Sequence, residues 1–349
     1  MITKLGVTSV LLGIIAYFSA VNLNIDARNI TYLQQIMYVS IAVGLYINIL
    51  SIDTKIFKTC FNSIVKVVLV GVPIKIVLPG FLLSLFSPQI APIAYLCSTV
   101  IAQIDPIAAD KFLEDSKISK KSETILRAWS SFDDPITVLF AFYIFLPALL
   151  LTNFKIEEYL IKIILDIFSC ILIYLFYLIY KQNITISKKV QSFIETIVIV
   201  AIIIYSVVFN SFILPAVAGL FIRPFAPEKF SVINSGIFYL SAVILGIFAA
   251  NMQLDWYSGL ILAASTFFLA QVFVTFIFIK DSIESKSRVM FGHQNGMTAM
   301  LLTVAIEMST SEKTDELLGI TLPAIVWVAV FYFGTNYLLN RFLPASYEV

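Results

Sequence analysis

The chain has 349 residues, 60% of them hydrophobic and only 13% charged, with a formal net charge of +1. A soluble domain of this size carries about twice that share of charge. The mean hydropathy of +0.95 therefore points to a polytopic protein bathed in membrane lipid. The near-neutral balance, without a basic run suited to phosphate backbones, argues against a nucleic-acid partner.

A helix needs about 20 mostly apolar residues to cross a bilayer. About twelve such stretches follow one another, at residues 4–22, 30–50, 61–87, 90–113, 124–150, 158–180, 189–209, 211–224, 231–251, 257–280, 288–308 and 317–340. The first begins at Lys4 and continues without a cleavage-site pattern, so it reads as a span and not a signal peptide. Residues 189–224 are long for one span and tight for two, and charge decides between the readings. With two spans, Lys120, Lys121, Arg127, Lys188, Lys189, Lys280, Lys286 and Arg288 all fall on one side. The positive-inside bias makes that side cytoplasmic, with both chain termini there. The expected location is the cell inner (plasma) membrane. Cys60, Cys97 and Cys170 lie far apart and read as packing residues.

A faint internal echo links Asn48–Asp53, after the second span, with Asn251–Asp255, after the ninth. The first falls at the cytoplasmic face and the second at the outer face, as an inverted repeat requires. The expected organisation is one transmembrane transporter domain over residues 1–349. Its first repeat covers about 1–150, linker helices about 155–209, and the second repeat about 211–342.

The stretch from Cys97 to Phe140 is where polar chemistry interrupts the apolar pattern. It holds two Asp-Pro steps, Asp105-Pro106 and Asp134-Pro135, with Asp133 beside the second. Intramembrane carboxylates are expensive and mark ion or proton pathways. Proline pushes the preceding residue out of the helical region and strands a carbonyl, so the fourth span is expected to break at Asp105. Ser130 and Ser131 lie one turn before the Asp pair and offer oxygens to a hard cation. Lys75 between Pro73 and Pro79, Gln271 in the tenth span and Asn295 in the eleventh fall at the same depth. The run Gly292-His293-Gln294-Asn295-Gly296 reads as either a second helix break or a close small-residue helix contact. His293, the single histidine, is either structural or a pH sensor.

Taken together, these residues resemble the cation/proton antiporter superfamily, the sodium/proton exchangers. Ile104-Asp105-Pro106-Ile107 is similar to that family's Thr-Asp-Pro-Val, and Trp129 to Asp134 to its Glu-Ser-Leu-Leu-Asn-Asp or Asp-Asp pattern. Leu50–Lys55 and Met252–Asp255 resemble its Gly-x-x-Leu-Asp span ends, and Gly292–Gly296 stands at its Gly-Leu-Arg-Gly. The resemblance implies an all-α fold of about 12 transmembrane helices in an inverted repeat, with broken helices four and eleven crossing. It implies a homodimer that exchanges small monovalent cations, sodium or potassium, for protons by alternating access, without a cofactor. Asp134 matches the carboxylate that carries cation and proton, and Asp133 its acidic neighbour. Three positions depart from the pattern: Gln271 and Asn295 stand where basic residues are expected, and Ile104 where a threonine lends an oxygen. Lys75, on the span that the repeat relates to the tenth, is the candidate for the missing charge.

Two other functions share this outline. One is a regulated ion-conducting effector or channel on the exchanger scaffold, which the missing basic partners favour. The other is a cation-coupled organic solute transporter, which needs a roomier pocket. An enzyme is not expected, since no nucleophile–base pair or metal-ligand set stands out.

Overall fold

The computed structural model describes residues 4–25, 30, 32–50, 61–106, 109, 112–113, 118–149, 156–183, 187–224, 231–250, 252–309 and 315–342. Within these all the regular secondary structure is helical. We label α1 (Lys4–Leu23), α2 (Leu33–Leu50), α3 (Phe61–Phe86), α4 (Ala91–Ile101), α5 (Lys120–Leu149), α6 (Ile156–Asn183) and α7 (Lys188–Phe209). There follow α8 (Ile213–Phe221), α9 (Ser231–Ala249), α10 (Trp256–Phe278), α11 (Ile283–Met290), α12 (Met297–Ser309) and α13 (Asp315–Phe342). Seven of these helices contain stretches long and apolar enough to cross a membrane. Each expected span holds a helix, and the eleventh is divided into α11 and α12. The internal echo falls partly outside the described residues, at 51–53 and 251, as does Cys60.

The helices gather into two compact units, residues 1–51 with 150–250, and residues 52–149 with 251–349. In the first, α1 and α9 cross at glycines. A Cβ on Gly246 would collide with the backbone of Gly13, and one on Gly13 would press on the Ala242 carbonyl at 3.1 Å. Such small-residue crossings let helix backbones approach where no water drives association. Tyr46, Leu50, Ile173, Ile199, Leu214, Ala218 and Ile222 form the apolar cluster of this unit. Helix α7 stops because Asn210 turns left-handed at φ 54°, a conformation asparagine tolerates better than most residues. The nine-residue α8 then spans only about 14 Å. Helix α6 exposes Ile161, Ile164, Leu165, Phe168 and Leu172, an apolar face suited to lipid.

In the second unit α3, α5, α10, α11 and the stretch that follows α4 pack around Val72, Ile76, Ile104, Leu126, Trp129, Val274 and Val289. Three of its long helices each contain one wide π-helical turn, at Val67–Gly71 in α3, Ala141–Phe145 in α5 and Ser265–Ala270 in α10. Such turns insert an extra residue and re-aim the side chains that follow. Lys75 lies about one turn beyond the first, and Gln271 comes directly after the third. Ser119 caps α5 by accepting the Ser122 N–H at 3.1 Å, and Asp255 caps α10 by accepting that of Ser258 at 3.0 Å, each satisfying an orphan donor of the first turn.

Candidate functional site

Helix α4 ends at Ile101, and residues 103–105 are non-helical before Pro106. Opposite this break, residues 292–296 are non-helical between α11 and α12. Proline explains the first interruption, and the glycine-bracketed polar run accompanies the second. The two breaks meet directly. The Asp105 N–H donates to the Gln294 carbonyl at 2.9 Å. The Asn295 amide donates to the Ile101 and Gln103 carbonyls at 2.9 and 2.8 Å. Backbone groups that lost their helical partners thus find new ones within protein, as a non-aqueous setting demands. Gly296 has no room for a side chain, because a Cβ there would overlap the Asp105 carboxylate.

Helix α5 brings both expected carboxylates to this crossing, and neither Asp133 nor Asp134 is exposed (0% each). Their partners differ. Asp133 Oδ2 receives the Lys75 ammonium at 3.3 Å and the Ile104 N–H at 3.2 Å. Lys75 is fully buried, lies 4.8 Å from the centre of the Trp129 ring, and approaches His293 Nδ1 at 3.4 Å. To accept from an ammonium, the imidazole must keep Nδ1 unprotonated and carry its proton on Nε2. Asp134 Oδ1 instead receives the Thr298 hydroxyl of α12 at 3.1 Å. Adjacent helical residues point about 100° apart, which is how two neighbouring carboxylates acquire separate surroundings.

The other expected groups divide. Lys75, Asp105, Asp133, Asp134, His293 and Asn295 converge on the crossing. Ser130 and Ser131 are buried, but both hydroxyls donate to the Arg127 carbonyl of their own helix, at 3.0 and 2.8 Å. Gln271 is buried and donates to the Val289 carbonyl at 3.3 Å, steadying the end of α11. Several groups at the site were not singled out from sequence. Gln103 donates to Thr137 Oγ1 at 2.6 Å, and Thr137 donates in turn to the Asp133 and Asp134 carbonyls at 2.9 Å each. Thr137 could have been found from its spacing, four and three residues after the aspartates on one helix face. Thr298 carries no such signal, because its partner lies on another helix.

Buried polar atoms without a hydrogen-bond partner also collect here. They include Gln103 Oε1, Asp133 Oδ1 and Asn295 Oδ1. Water or an ion can satisfy such acceptors. These are oxygens, the donor type hard cations prefer.

Two broken helices crossing beside intramembrane carboxylates define a multi-pass membrane protein with the antiporter fold. The profile of the family described as sodium/hydrogen exchanger, transmembrane, matches residues 4–222. The chain belongs to that family, and cation/proton antiport is the general activity that membership supports. Among solved structures, it superposes on the sodium proton antiporter MjNhaP1 from Methanocaldococcus jannaschii at pH 8. The TM-score is 0.68 at 16% identity, over 97% of this chain and 95% of that chain. An electron-microscopy structure of the same antiporter gives a TM-score of 0.66 at 17% identity, over 97% of this chain and 92% of that one. At such identity the likeness establishes the fold. No curated protein matches the chain by sequence.

Proposed function

We propose that this protein exchanges sodium or potassium for protons by alternating access, with Asp134 binding the cation and the proton in turn. One observation carries this reading. Of the two buried aspartates, Asp133 is held by the Lys75 ammonium, whereas Asp134 receives the Thr298 hydroxyl at the start of α12, beside the second break. An ionised carboxylate in a low-dielectric site is costly until a cation or a proton neutralises it. A proton and a monovalent cation both serve, and competition for the one group couples their movements.

In this reading Asp133 and Lys75 form a charge pair that shapes the site, and Asp105 stands at the junction of the two breaks. Lys75 takes up the role that a basic residue at position 271 or 295 would have filled. That weakens the case for a channel, which rested on the missing bases. The close approach of Lys75 to Asp133 at 3.3 Å and to His293 at 3.4 Å suits an ion better than an organic solute. The inverted repeat, a homodimer, a plasma-membrane location and cytoplasmic termini belong to the same proposal. Similar π turns in α3 and α10, the helices that such a repeat would relate, support it.

The test is proton flux in reconstituted liposomes, read with a pH-sensitive dye after addition of each alkali cation. Asp134→Asn should reduce cation-dependent flux to background while the protein inserts normally. Asp133→Asn should change apparent affinity or stoichiometry. Wild-type flux rates in Asp134→Asn would overturn the proposal.

A further inference from the structure

We infer that Thr298 is a direct ligand of the transported cation and sets the preference among alkali ions, an inference that rests on Asp134 being the exchanging carboxylate. Thr298 stands in the first turn of α12, two residues beyond the second break, with its Oγ1 at 3.1 Å from Asp134 Oδ1. A hydroxyl has one donor and two acceptor lone pairs. It donates to an ionised Asp134, accepts from a protonated one, and turns its lone pairs to a cation when one binds. Rotation about one bond therefore serves every state of the exchange cycle.

The other nearby oxygens are spoken for. Asp133 Oδ2 is held by Lys75 and Ile104. The Ser130 and Ser131 hydroxyls donate back to Arg127. The Ile101 and Gln103 carbonyls, which the break in α4 would otherwise free for an ion, accept the Asn295 amide. That amide uses its nitrogen for both bonds, so its Oδ1 is left buried and unpartnered, as is Gln103 Oε1.

Two oxygens 3.1 Å apart fit as neighbours in one coordination shell. Hard cations such as calcium hold their oxygens at about 2.3–2.6 Å, which places adjacent ligands at about this separation. The Asp105 carboxylate, pressed against the Gly296 backbone that leads into α12, adds negative charge where the helix N-terminus favours it. The cation site is thus assigned to Asp134 and Thr298, with Asp105 and the amide oxygens of Gln103 and Asn295 around it, and Asp133 outside the shell.

The experiment measures exchange in liposomes with lithium, sodium and potassium for Thr298→Val, Thr298→Ser and Asp134→Asn, each checked for monodispersity in detergent. Thr298→Val keeps the shape and removes the oxygen. Its apparent KM for the preferred ion should rise roughly 10-fold to 100-fold, with the ratio between ions altered. Thr298→Ser should restore both affinity and preference. A merely structural bond to Asp134 would weaken all three ions by one factor, and that result would overturn the inference. So would an unchanged KM in Thr298→Val alongside a dead Asp134→Asn. Activity in Asp134→Asn would instead sink the underlying reading of the exchange site.

Discussion

The two units differ in how far their buried polar groups reach for partners. In residues 1–51 and 150–250, Ser40, Ser206 and Ser241 donate their hydroxyls to carbonyls four residues back, and Tyr46 reaches the Ile222 carbonyl. Most of these bonds close within one helix, so burial costs little and brings nothing together. In residues 52–149 and 251–349, Lys75, Asp105, Asp133, Asp134, His293 and Asn295 find partners 58 to 218 positions away or on a different helix. Those groups are satisfied only once the helices are assembled. Local satisfaction marks a scaffold, and satisfaction across helices marks a site.

The comparison is broken most directly at Lys75. Lys75→Met fills a similar volume but leaves Asp133 buried without its counter-charge. Removing one partner of a buried ion pair costs about 3–5 kcal/mol. Thermal unfolding in detergent should show a large loss of stability, together with a loss of exchange. Adding Asp133→Asn should recover most of that stability, a coupling that a double-mutant cycle measures. If Lys75→Met unfolds like the wild type, the pair does not hold this unit together, and the contrast between the units is mistaken.

A smaller effect, of the opposite kind, is expected in the other unit. Gly246→Leu forces a side chain into the Gly13 backbone, an overpacking cost of about 1–3 kcal/mol. Stability and yield should fall while the apparent KM for cations in the folded fraction stays put. A changed KM would show that the scaffold reaches into the ion site.

Much of this was legible in the sequence because membranes are strict. Charge is rare in lipid, so Lys75, Asp105, Asp133 and Asp134 stand out against their neighbours, and proline announces the break at Asp105. The sequence leaves the second break open between an interruption and a close helix contact, since glycines permit both. The structure has both, with Gly296 lying against Asp105 inside a non-helical run. Ser130 and Ser131 looked like ligands from spacing alone. A serine inside a helix can always turn to a carbonyl three or four residues back, and here both do. Thr298 and Gln103 were invisible for a different reason. Neutral groups are common in spans, and their importance lies in what another helix places beside them.

The smallest expected effect lies where two helices of the second unit start. Where α5 and α11 begin, their caps interlock. Asp281 accepts the hydroxyls of Ser119 and Ser122, the latter at 2.6 Å, and the Ser282 N–H at 2.7 Å. Ser285 Oγ accepts the Ser119 N–H at 3.2 Å. Partial burial pushes the Asp281 carboxyl upward, but the Ser119, Ser122 and Ser282 bonds and the nearby Lys121 outweigh it and hold it below the usual carboxylate range. A carboxyl depressed by folding stabilises above its unfolded pKa, about 3.9, and that contribution fades as pH falls through the lower folded value. Asp281→Asn should therefore melt slightly earlier than wild type at pH 7, by about 1 °C given how exposed the group is. The gap should close below about pH 4. Because Asp281 ties down the start of the helix that carries Asp133 and Asp134, the same variant should leave cation preference untouched. A shift in preference at neutral pH would mean that these interlocked caps position the exchange site as well as the helix ends.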